Sequence, residues 1–216
     1  MKRVAVILSG CGVFDGAEIH ESVLTLLALE KAGAQYQCFA PNVEQMHVIN
    51  HLSGEEMAER RNVLVEAARI ARGNIKDVRE LEVADFDALI LPGGFGAAKN
   101  LCDFAVKGAD CSVQPDVEAA CRAFAEARKP AGYICISPAM IPRIYGPGAR
   151  GTIGTDADTA QAFEAMGGEH LSCPVDEFRI DEQRKVVSTP AYMLAGSILE
   201  AQSGIDKLVA EVLRLA

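Results

Sequence analysis

The sequence alternates throughout between short, apolar, β-branched runs and longer amphipathic segments with helical spacing. Residues 3–9 form the first apolar run, a glycine-rich loop follows, and residues 18–32 place apolar side chains at intervals of three and four. Residues 36–40 then indicate a second buried strand, which Pro41 ends. Strands that alternate with helices in this way need crossover connections. The pattern therefore predicts a mainly parallel sheet with helices on both faces, a three-layer α/β sandwich.

The same alternation continues to the C-terminus without a linker or an internal repeat, so we expect one domain over residues 1–216. Further helices are predicted at residues 57–72, 114–128, 136–145, 160–166 and 195–216, the last with a break near Gly204, and further strands at 87–91, 131–134 and 151–155. Residues 177–180 and 185–188 face one another across a polar turn. They predict an antiparallel hairpin at the edge of the sheet.

The charge balance and the cysteines narrow the class of protein. A net charge of −9 argues against an electrostatic grip on nucleic acid or on anionic lipid. No apolar run approaches the roughly 20 residues that cross a bilayer, and the first residues carry no secretory signal, so a cytosolic protein is expected. Seven cysteines without a CxxC pair argue against a disulfide framework or a zinc site, and no metal or cofactor is expected.

A cysteine at the end of one predicted strand is the best candidate for chemistry. In parallel sheets, reactive groups gather where the carboxyl ends of the strands meet. Cys135 follows strand 131–134 directly and precedes a helical segment, so a sharp turn would present its thiol as in a nucleophile elbow. The adjoining helix N-terminus would favour the thiolate and lower the pKa of the thiol. Position alone fits a buried structural cysteine equally well.

Two other loops lead to the same edge of the predicted sheet. The Gly93-Gly94 pair would let backbone N–H groups approach a ligand closely, and with the N–H of Ile136 it could form an oxyanion hole. Glu21 lies near the start of the first helix, beside this crevice, and could act as acid or base toward the thiol of Cys135. A carboxylate near a helix N-terminus is also common for electrostatic reasons alone.

The histidines and the remaining glycine loop indicate a function less specifically than Cys135, Glu21 and the Gly93-Gly94 pair do. His20 would point about 100° away from its neighbour Glu21 on a helix, which is typical of a surface histidine. His51, which ends the run MHVINH, is the best of the other three histidines for a role at the site. The loop GCGVFDG does not fit GxGxxG, and neither GxxxxGKS nor GxxxxGKT occurs, so a nucleotide-binding domain is not favoured.

Three features in this order, Glu21 in GAEIHE, the LPGGFG loop at 91–96 and the Cys135 elbow, resemble the ThiJ/PfpI superfamily of class I glutamine amidotransferase-like proteins. Longer stretches such as SGCGVFDGAEIHE, PGGFGAAKNL, CISPAM and STPAYM are similar to its ElbB branch, and the resemblance covers the whole chain. It implies a flavodoxin-like sandwich and a homodimer. It also implies that Cys135 is the nucleophile, with Glu21 hydrogen-bonded to it and the N–H groups of Gly94 and Ile136 as oxyanion donors.

The chain departs from related branches around the cysteine. Glutaminases of the superfamily carry glycine where this chain has Ile134, and the protease branch carries histidine where it has Ile136, so neither activity is expected. The histidine that many relatives supply after the elbow helix is missing from residues 151–156. The catalytic groups expected are then the thiol of Cys135 and the carboxyl group of Glu21, unless His20 or His51 also reaches this site as an auxiliary group.

The ElbB resemblance implies a cofactor-independent glyoxalase that converts glyoxal to glycolate, and by name a role in isoprenoid biosynthesis. With the histidine missing, slow turnover is expected. The expected partner is a small dicarbonyl compound, with neither nucleic acid nor a membrane. The alternative is a redox-sensing or carbonyl-stress-sensing protein, or an interaction protein, in which the same reactive thiol is oxidised without significant turnover.

Overall fold

Nine strands and eight α-helices alternate along the chain in the computed structural model, which describes residues 1–216. The strands are β1 (Arg3–Ile7), β2 (Gln35–Ala40), β3 (Ile75–Asp77), β4 (Ala88–Leu91), β5 (Ala131–Ile134), β6 (Arg150–Gly151), β7 (Glu169–His170), β8 (Arg179–Asp181) and β9 (Val186–Thr189). The α-helices are α1 (Ile19–Lys31), α2 (Val63–Ile70), α3 (Phe95–Lys99), α4 (Phe104–Lys107), α5 (Pro115–Glu126), α6 (Ile141–Tyr145), α7 (Ala157–Ala165) and α8 (Ile198–Leu215). No helix has the length and apolar character that crossing a membrane requires.

Seven strands form one sheet in the order β3-β2-β1-β4-β5-β9-β8. All neighbours in it are parallel except β8 and β9, which form the antiparallel hairpin predicted at the edge. Strands β6 and β7 pair separately. The three-layer sandwich with a flavodoxin-like, mainly parallel sheet is therefore confirmed.

Two apolar cores lie on the two faces of this sheet. Helices α1, α2 and α8 cover one face, where Leu29, Ile205 and Leu208 are fully buried. Helices α5, α6 and α7 cover the other, where Phe124 and Phe163 are fully buried. Strands covered on both sides are apolar at every position, which is why the central strands were recognisable as continuous apolar runs. The ends of these strands form a rigid platform for the loops.

The helix predicted at 57–72 is shorter than expected. It begins at Val63, because the side chain of Asn62 accepts a hydrogen bond from the N–H of Val65 and caps the helix there. The preceding residues follow an irregular path, and an isolated bridge joins Asn62 to Glu44. Strand β3 was not predicted, because three residues with two charges show no apolar pattern.

Two other boundaries differ because of proline and glycine. The helix predicted at 136–145 is a 3-10 helix (Ser137–Met140) followed by α6, and each segment carries a proline that lacks an N–H donor in its first turn. The break expected near Gly204 is absent. A Cβ atom on Gly204 would lie 2.5 Å from Oγ1 of Thr189, so this glycine lets α8 pack closely on β9. The strand predicted at 151–155 is reduced to β6.

Candidate active site

The carboxyl ends of β1, β4, β5 and β9 meet at one edge of the sheet. The register places Val6 beside Ile90 and Ile134 beside Thr189, so the loops that follow these strands leave together. They surround a cavity of about 410 Å³, to which Cys135 contributes. This is the crevice in which ligands bind in open parallel sheets.

Cys135 occupies the elbow that the sequence predicts. Its φ of +64° lies in the left-handed region, which is strained for a residue with a side chain. Hydrogen bonds hold this conformation: the N–H of Cys135 donates to the carbonyl of Thr189 at 3.0 Å. The Ser137 hydroxyl accepts from the N–H of Ile134 at 2.8 Å and donates to the carbonyl of Leu91 at 2.9 Å. The turn after β5 is thereby tied to β4 and β9.

Glu21 is fully buried on α1 and lies against the thiol. Its Oε2 accepts a hydrogen bond from the N–H of Gly93 at 2.9 Å, and its Oε1 accepts one from the N–H of Tyr192 at 3.2 Å. The carboxyl group also lies next to the side chain of Cys135, and each group shifts the pKa of the other. The structure therefore brings together the acid and the thiol that the resemblance pairs.

The two residues after β4 must be glycines because this loop passes very close to other atoms of the site. A Cβ atom on Gly93 would lie 2.5 Å from Cβ of Cys135 and 2.8 Å from Oε2 of Glu21. Gly94 has a φ of +89°, and a Cβ atom there would lie 2.3 Å from the backbone N of Glu18. Only glycine lets this loop reach the acid and the thiol without a steric clash.

Backbone donors converge on the sulfur. The N–H groups of Gly94 and Ile136 both act on the Cys135 thiol and lower its pKa. Donors beside a sulfur stabilise a negative charge on it, and they can equally stabilise an oxygen anion that forms on a carbonyl bound there. The role of these two residues as oxyanion donors stays a prediction.

The pKa of the Cys135 thiol is shifted opposite to the expected direction. Burial raises this pKa well above its usual value, the charge of Glu21 raises it further, and the N–H groups of Gly94 and Ile136 only partly oppose the increase. The expectation of an acidified thiol is wrong because the chain continues as a short 3-10 helix (Ser137–Met140), whose dipole is weak compared with the cost of burying a charge.

The carboxyl group of Glu21 titrates near neutral pH. Burial raises the pKa of Glu21 to about 7, and the charge of Glu18 adds to this, against hydrogen bonds from Tyr192, Cys135 and Gly93. An acid with a pKa near the working pH is suited to accept a proton and return it. Glu21 can therefore take the thiol proton at the moment the sulfur attacks, and a free thiolate is not needed beforehand.

This raised pKa predicts a pH-dependent contribution to stability. Because the folded value of about 7 lies above the ordinary 4.5, the folded chain holds the Glu21 proton more tightly than the unfolded chain. The contribution is fully present below pH 4.5 and is lost as the pH rises through 7. Relative to Glu21→Gln, the wild type should lose on the order of 3 kcal/mol of unfolding free energy across this window. Urea unfolding of both proteins at a series of pH values measures this; a constant difference would contradict it.

Neither candidate histidine lines the cavity. Nδ1 of His20 lies 2.8 Å from the hydroxyl of Tyr192, so His20 touches the site only through that residue. Nε2 of His51 accepts from the N–H of Phe14 at 3.1 Å, and Nδ1 lies 3.0 Å from the carbonyl of Ile49. His51 is thus bonded to the loop after β1 and to its own loop. No hydrogen bond joins either histidine to Cys135, and the auxiliary role considered for His20 and His51 stays a prediction.

Three residues at the site were missed by the sequence reasoning. Tyr192 supplies a donor to Glu21 and lines the cavity, but only its place after β9 reveals this. Glu18 and Asp156 line the cavity and cap α1 and α7, and the capping pattern before each helix could have drawn attention to them. No lysine or arginine lines the cavity. No group of three or more His, Cys, Asp or Glu side chains is arranged to hold a metal ion.

Comparisons with known proteins identify relatives over the whole chain. No family model matches. A Homo sapiens protein named glutamine amidotransferase-like class 1 domain-containing protein 3, mitochondrial, is 46% identical over 223 residues, which cover 99% of this chain and 83% of that protein. The crystal structure of an Ehrlichia chaffeensis isoprenoid biosynthesis protein with an amidotransferase-like domain is 37% identical, with a TM-score of 0.93, and covers 100% of this chain and 99% of that one. Glyoxalase III from Candida albicans shares the fold, with a TM-score of 0.64 at 15% identity over 99% of this chain and 97% of that one.

The names of the relatives correct the expected localisation. The human protein and the ES1 proteins of Rattus norvegicus and Danio rerio are all named mitochondrial. They point to mitochondria, and the expectation of a cytosolic protein is wrong. It rested on a missing secretory signal, which argues only against export and does not distinguish the cytosol from an organelle.

The fold, the elbow cysteine and the glycine loop agree with these similarities. Identity of 46% and 37% over nearly the whole chain is far closer than a shared fold alone requires. The chain shares its fold with proteins of the DJ-1/ThiJ/PfpI superfamily, and it belongs to the class I glutamine amidotransferase-like proteins, together with the isoprenoid biosynthesis protein of Ehrlichia chaffeensis.

Proposed function

We propose that this protein is a cofactor-independent glyoxalase that acts on small dicarbonyl compounds such as glyoxal, with Cys135 as nucleophile and Glu21 as proton shuttle. One observation supports the proposal: a buried carboxyl group with a pKa of about 7 lies next to an elbow thiol that lines a cavity. The shared fold with a protein named glyoxalase III is consistent with this reaction class.

The first step forms a carbon–sulfur bond. Glu21 accepts the thiol proton while the sulfur of Cys135 attacks one aldehyde carbon of glyoxal. The π electrons of that carbonyl move to its oxygen, where the N–H groups of Gly94 and Ile136 stabilise the negative charge. The proton returns from Glu21 to this oxygen, and a hemithioacetal results.

The second step moves hydrogen between the two carbons. Glu21 removes the proton from the carbon bonded to sulfur and gives it to the remaining aldehyde oxygen, which yields an enediol. The hydroxyl group on the carbon bonded to sulfur then loses its proton to Glu21, the second carbon gains a proton, and a thioester of glycolic acid on Cys135 results. Water hydrolyses this thioester to glycolate and the free thiol. One carbon is oxidised and the other reduced, so the conversion of glyoxal and water to glycolate balances without an external oxidant.

The direct test is incubation of the purified protein with glyoxal in the absence of glutathione, with glycolate followed by chromatography. We expect formation above the buffer background, but slow turnover, because no histidine lines the cavity to assist the proton transfers. No glycolate above that background would overturn the proposal.

The lining of the cavity predicts which dicarbonyl compounds are accepted. Phe95, Phe104 and Met193 provide apolar walls, and Glu18 and Asp156 provide the charges. We expect phenylglyoxal to exceed 4-carboxyphenylglyoxal in kcat/KM by about 10-fold or more, because the added carboxylate is repelled by two acids. Asp156→Asn keeps the helix cap and should narrow this difference. Equal kcat/KM values for the two compounds would refute the prediction.

Two further expectations stay predictions. The homodimer implied by the resemblance can be measured by sedimentation of the purified chain. The role in isoprenoid biosynthesis is supported by the name of the Ehrlichia relative, and no residue of the cavity carries chemistry specific to it. A cavity without lysine or arginine does not favour a diphosphate substrate.

The alternative is a sensor in which Cys135 is oxidised and turnover has no role. The lack of a histidine in the cavity favours it. The raised pKa of the Cys135 thiol argues against it, because peroxides react with thiolates. Mass spectrometry after mild peroxide treatment separates the two: a sensor requires Cys135 to be oxidised ahead of the other six thiols.

A further inference from the structure

A pair of thiols, Cys102 and Cys111, lies outside the lining of the cavity. An isolated antiparallel bridge joins Cys102 to Val113, which makes Cys111 a diagonal neighbour of Cys102 on the same face. Both side chains are buried, and each thiol shifts the pKa of the other. The two thiols are therefore close enough to interact, and a small shift of either segment can bring them to the spacing of a disulfide.

A guanidinium group without a carboxylate partner lies beside this pair. Nε of Arg143 is buried and has no hydrogen-bond partner, and its Nη2 donates to the carbonyl of Ala109. No carboxylate forms a salt bridge with Arg143. A poorly solvated cation of this kind is costly unless an anion compensates it. The Cys111 sulfur, whose pKa Arg143 lowers, can supply that anion as a thiolate.

The electrostatics distinguish Cys111 from the other thiols. The hydrogen bond from Cys102 lowers the pKa of Cys111 to about 7, with Arg143 acting in the same direction against burial and the charge of Asp103. Burial instead raises the pKa values of Cys38 and Cys121 to about 12. Thiolates are the species that react with peroxides, so we expect Cys111 to be the first of the seven thiols to react with an oxidant.

We propose that Cys111 and Cys102 form a peroxide-responsive pair that closes into a reversible intramolecular disulfide. The Cys111 thiolate attacks one oxygen of a hydroperoxide, the O–O bond breaks, and hydroxide or alkoxide leaves. The sulfur becomes a sulfenic acid while the peroxide is reduced by two electrons. The thiol of Cys102 then attacks this sulfur, water is released, and the S–S bond forms. A dithiol reductant reverses the reaction.

The pair is connected to the cavity through two helices. The thiol of Cys102 donates to the carbonyl of Ala97, at 3.3 Å, within α3, the helix that Gly94 caps. The thiol of Cys111 lies 3.7 Å from Sδ of Met166 at the end of α7. Closing the disulfide would remove both contacts, and α3 and α7 each contribute residues to the lining of the cavity. On the basis of the proposed function, we expect dicarbonyl turnover to fall when the disulfide forms.

The test is peptide mapping of the full chain after treatment with substoichiometric hydrogen peroxide and alkylation of the remaining thiols. Trypsin cleaves after Lys107, so the disulfide links two separate peptides, 100–107 and 108–122. We expect this linked pair to form first and to disappear with dithiothreitol. The second peptide also contains Cys121, and Cys121→Ala serves as the matched control, which should keep the link.

The variants separate the roles of the two thiols. Cys111→Ser should abolish the link, and Cys102→Ser should leave a sulfenic acid at Cys111 that dimedone traps. Arg143→Gln should slow oxidation of Cys111 several-fold, because less thiolate is present. The proposal is overturned if the wild type forms no linked pair and Cys111 is oxidised no faster than Cys38.

The test also separates this proposal from the proposed function. Cys135→Ala lacks the catalytic nucleophile but should form the disulfide between Cys102 and Cys111 as readily as the wild type. Peroxide should reduce the turnover of the wild type, and dithiothreitol should restore it. If Cys111→Ser keeps its turnover under the same treatment, the disulfide is connected to the cavity. If the protein has no dicarbonyl activity, the peptide map alone still decides whether the pair forms.

Discussion

Cys135→Ala is expected to reduce glycolate formation from glyoxal to the uncatalysed background, a loss of at least about 10³-fold. The sulfur forms the covalent bond in the proposed reaction, and no other cysteine lines the cavity. Alanine keeps the small volume at the elbow and leaves Glu21 in place, so the loss reports the missing nucleophile. Initial rates at several glyoxal concentrations measure the effect.

The matched control for this variant is Cys11→Ala. Cys11 is a partly exposed thiol in the loop after β1, with a raised pKa and no place in the lining of the cavity. It should retain the wild-type rate. Thermal unfolding of both variants shows whether the fold persists. A Cys135→Ala protein that is folded and as active as the wild type would eliminate the covalent mechanism.

Glu21→Gln is expected to lower kcat by about 10²–10⁴-fold, because the amide cannot accept the thiol proton or carry it between the two carbons. The wild-type rate should rise with pH through about 7, since Glu21 must be ionised before it can act as a base. Glutamine retains the shape of the side chain and one oxygen that can accept from Gly93 or Tyr192. The pH profile of kcat/KM for the two proteins provides the measurement.

Glu18→Gln is the matched control, because Glu18 is the neighbouring carboxylate that helps to raise the pKa of Glu21. Removing its charge should lower the pKa of Glu21 and move the rising limb of the profile to lower pH. Glutamine can still accept the hydrogen bond from the N–H of Glu21 that caps α1. A rate close to the wild type in Glu21→Gln, or a profile without a limb near pH 7, would contradict the role of Glu21.

Much of the architecture could be read from local patterns. Strand β5 has the bounds predicted for it, and β1, β2 and β4 differ from prediction by two residues or fewer at either end, because a strand buried on both faces is apolar throughout. The helix expected at 57–72 shows the limit of that reasoning. Its first residues repeat apolar and charged side chains at helical intervals, but the cap at Asn62 places the start of the helix later.

The members of the site were also predictable, but their properties were not. Cys135, Glu21 and the Gly93-Gly94 loop each follow a strand or begin a helix, and parallel strands bring such positions to one edge. The direction of the Cys135 pKa shift was wrong, because burial by distant segments outweighs the local dipole. Tyr192 showed no chemical signal in sequence, since its part is played by a backbone N–H.

By itself, the sequence determined the alternation of strands and helices, the layers of the sandwich and the edge of the sheet where thiol, acid and glycine pair meet. Local spacing encodes the individual strands and helices, and the shared edge follows because parallel strands all end on the same side of a sheet. Only the tertiary structure decided the directions in which the pKa values of Cys135 and Glu21 shift. It also placed both candidate histidines outside the cavity. Glu21 is held by Gly93 and Tyr192, which are 72 and 171 residues away in the chain. Its protonation depends on burial and hydrogen bonds that exist only once those segments have packed together.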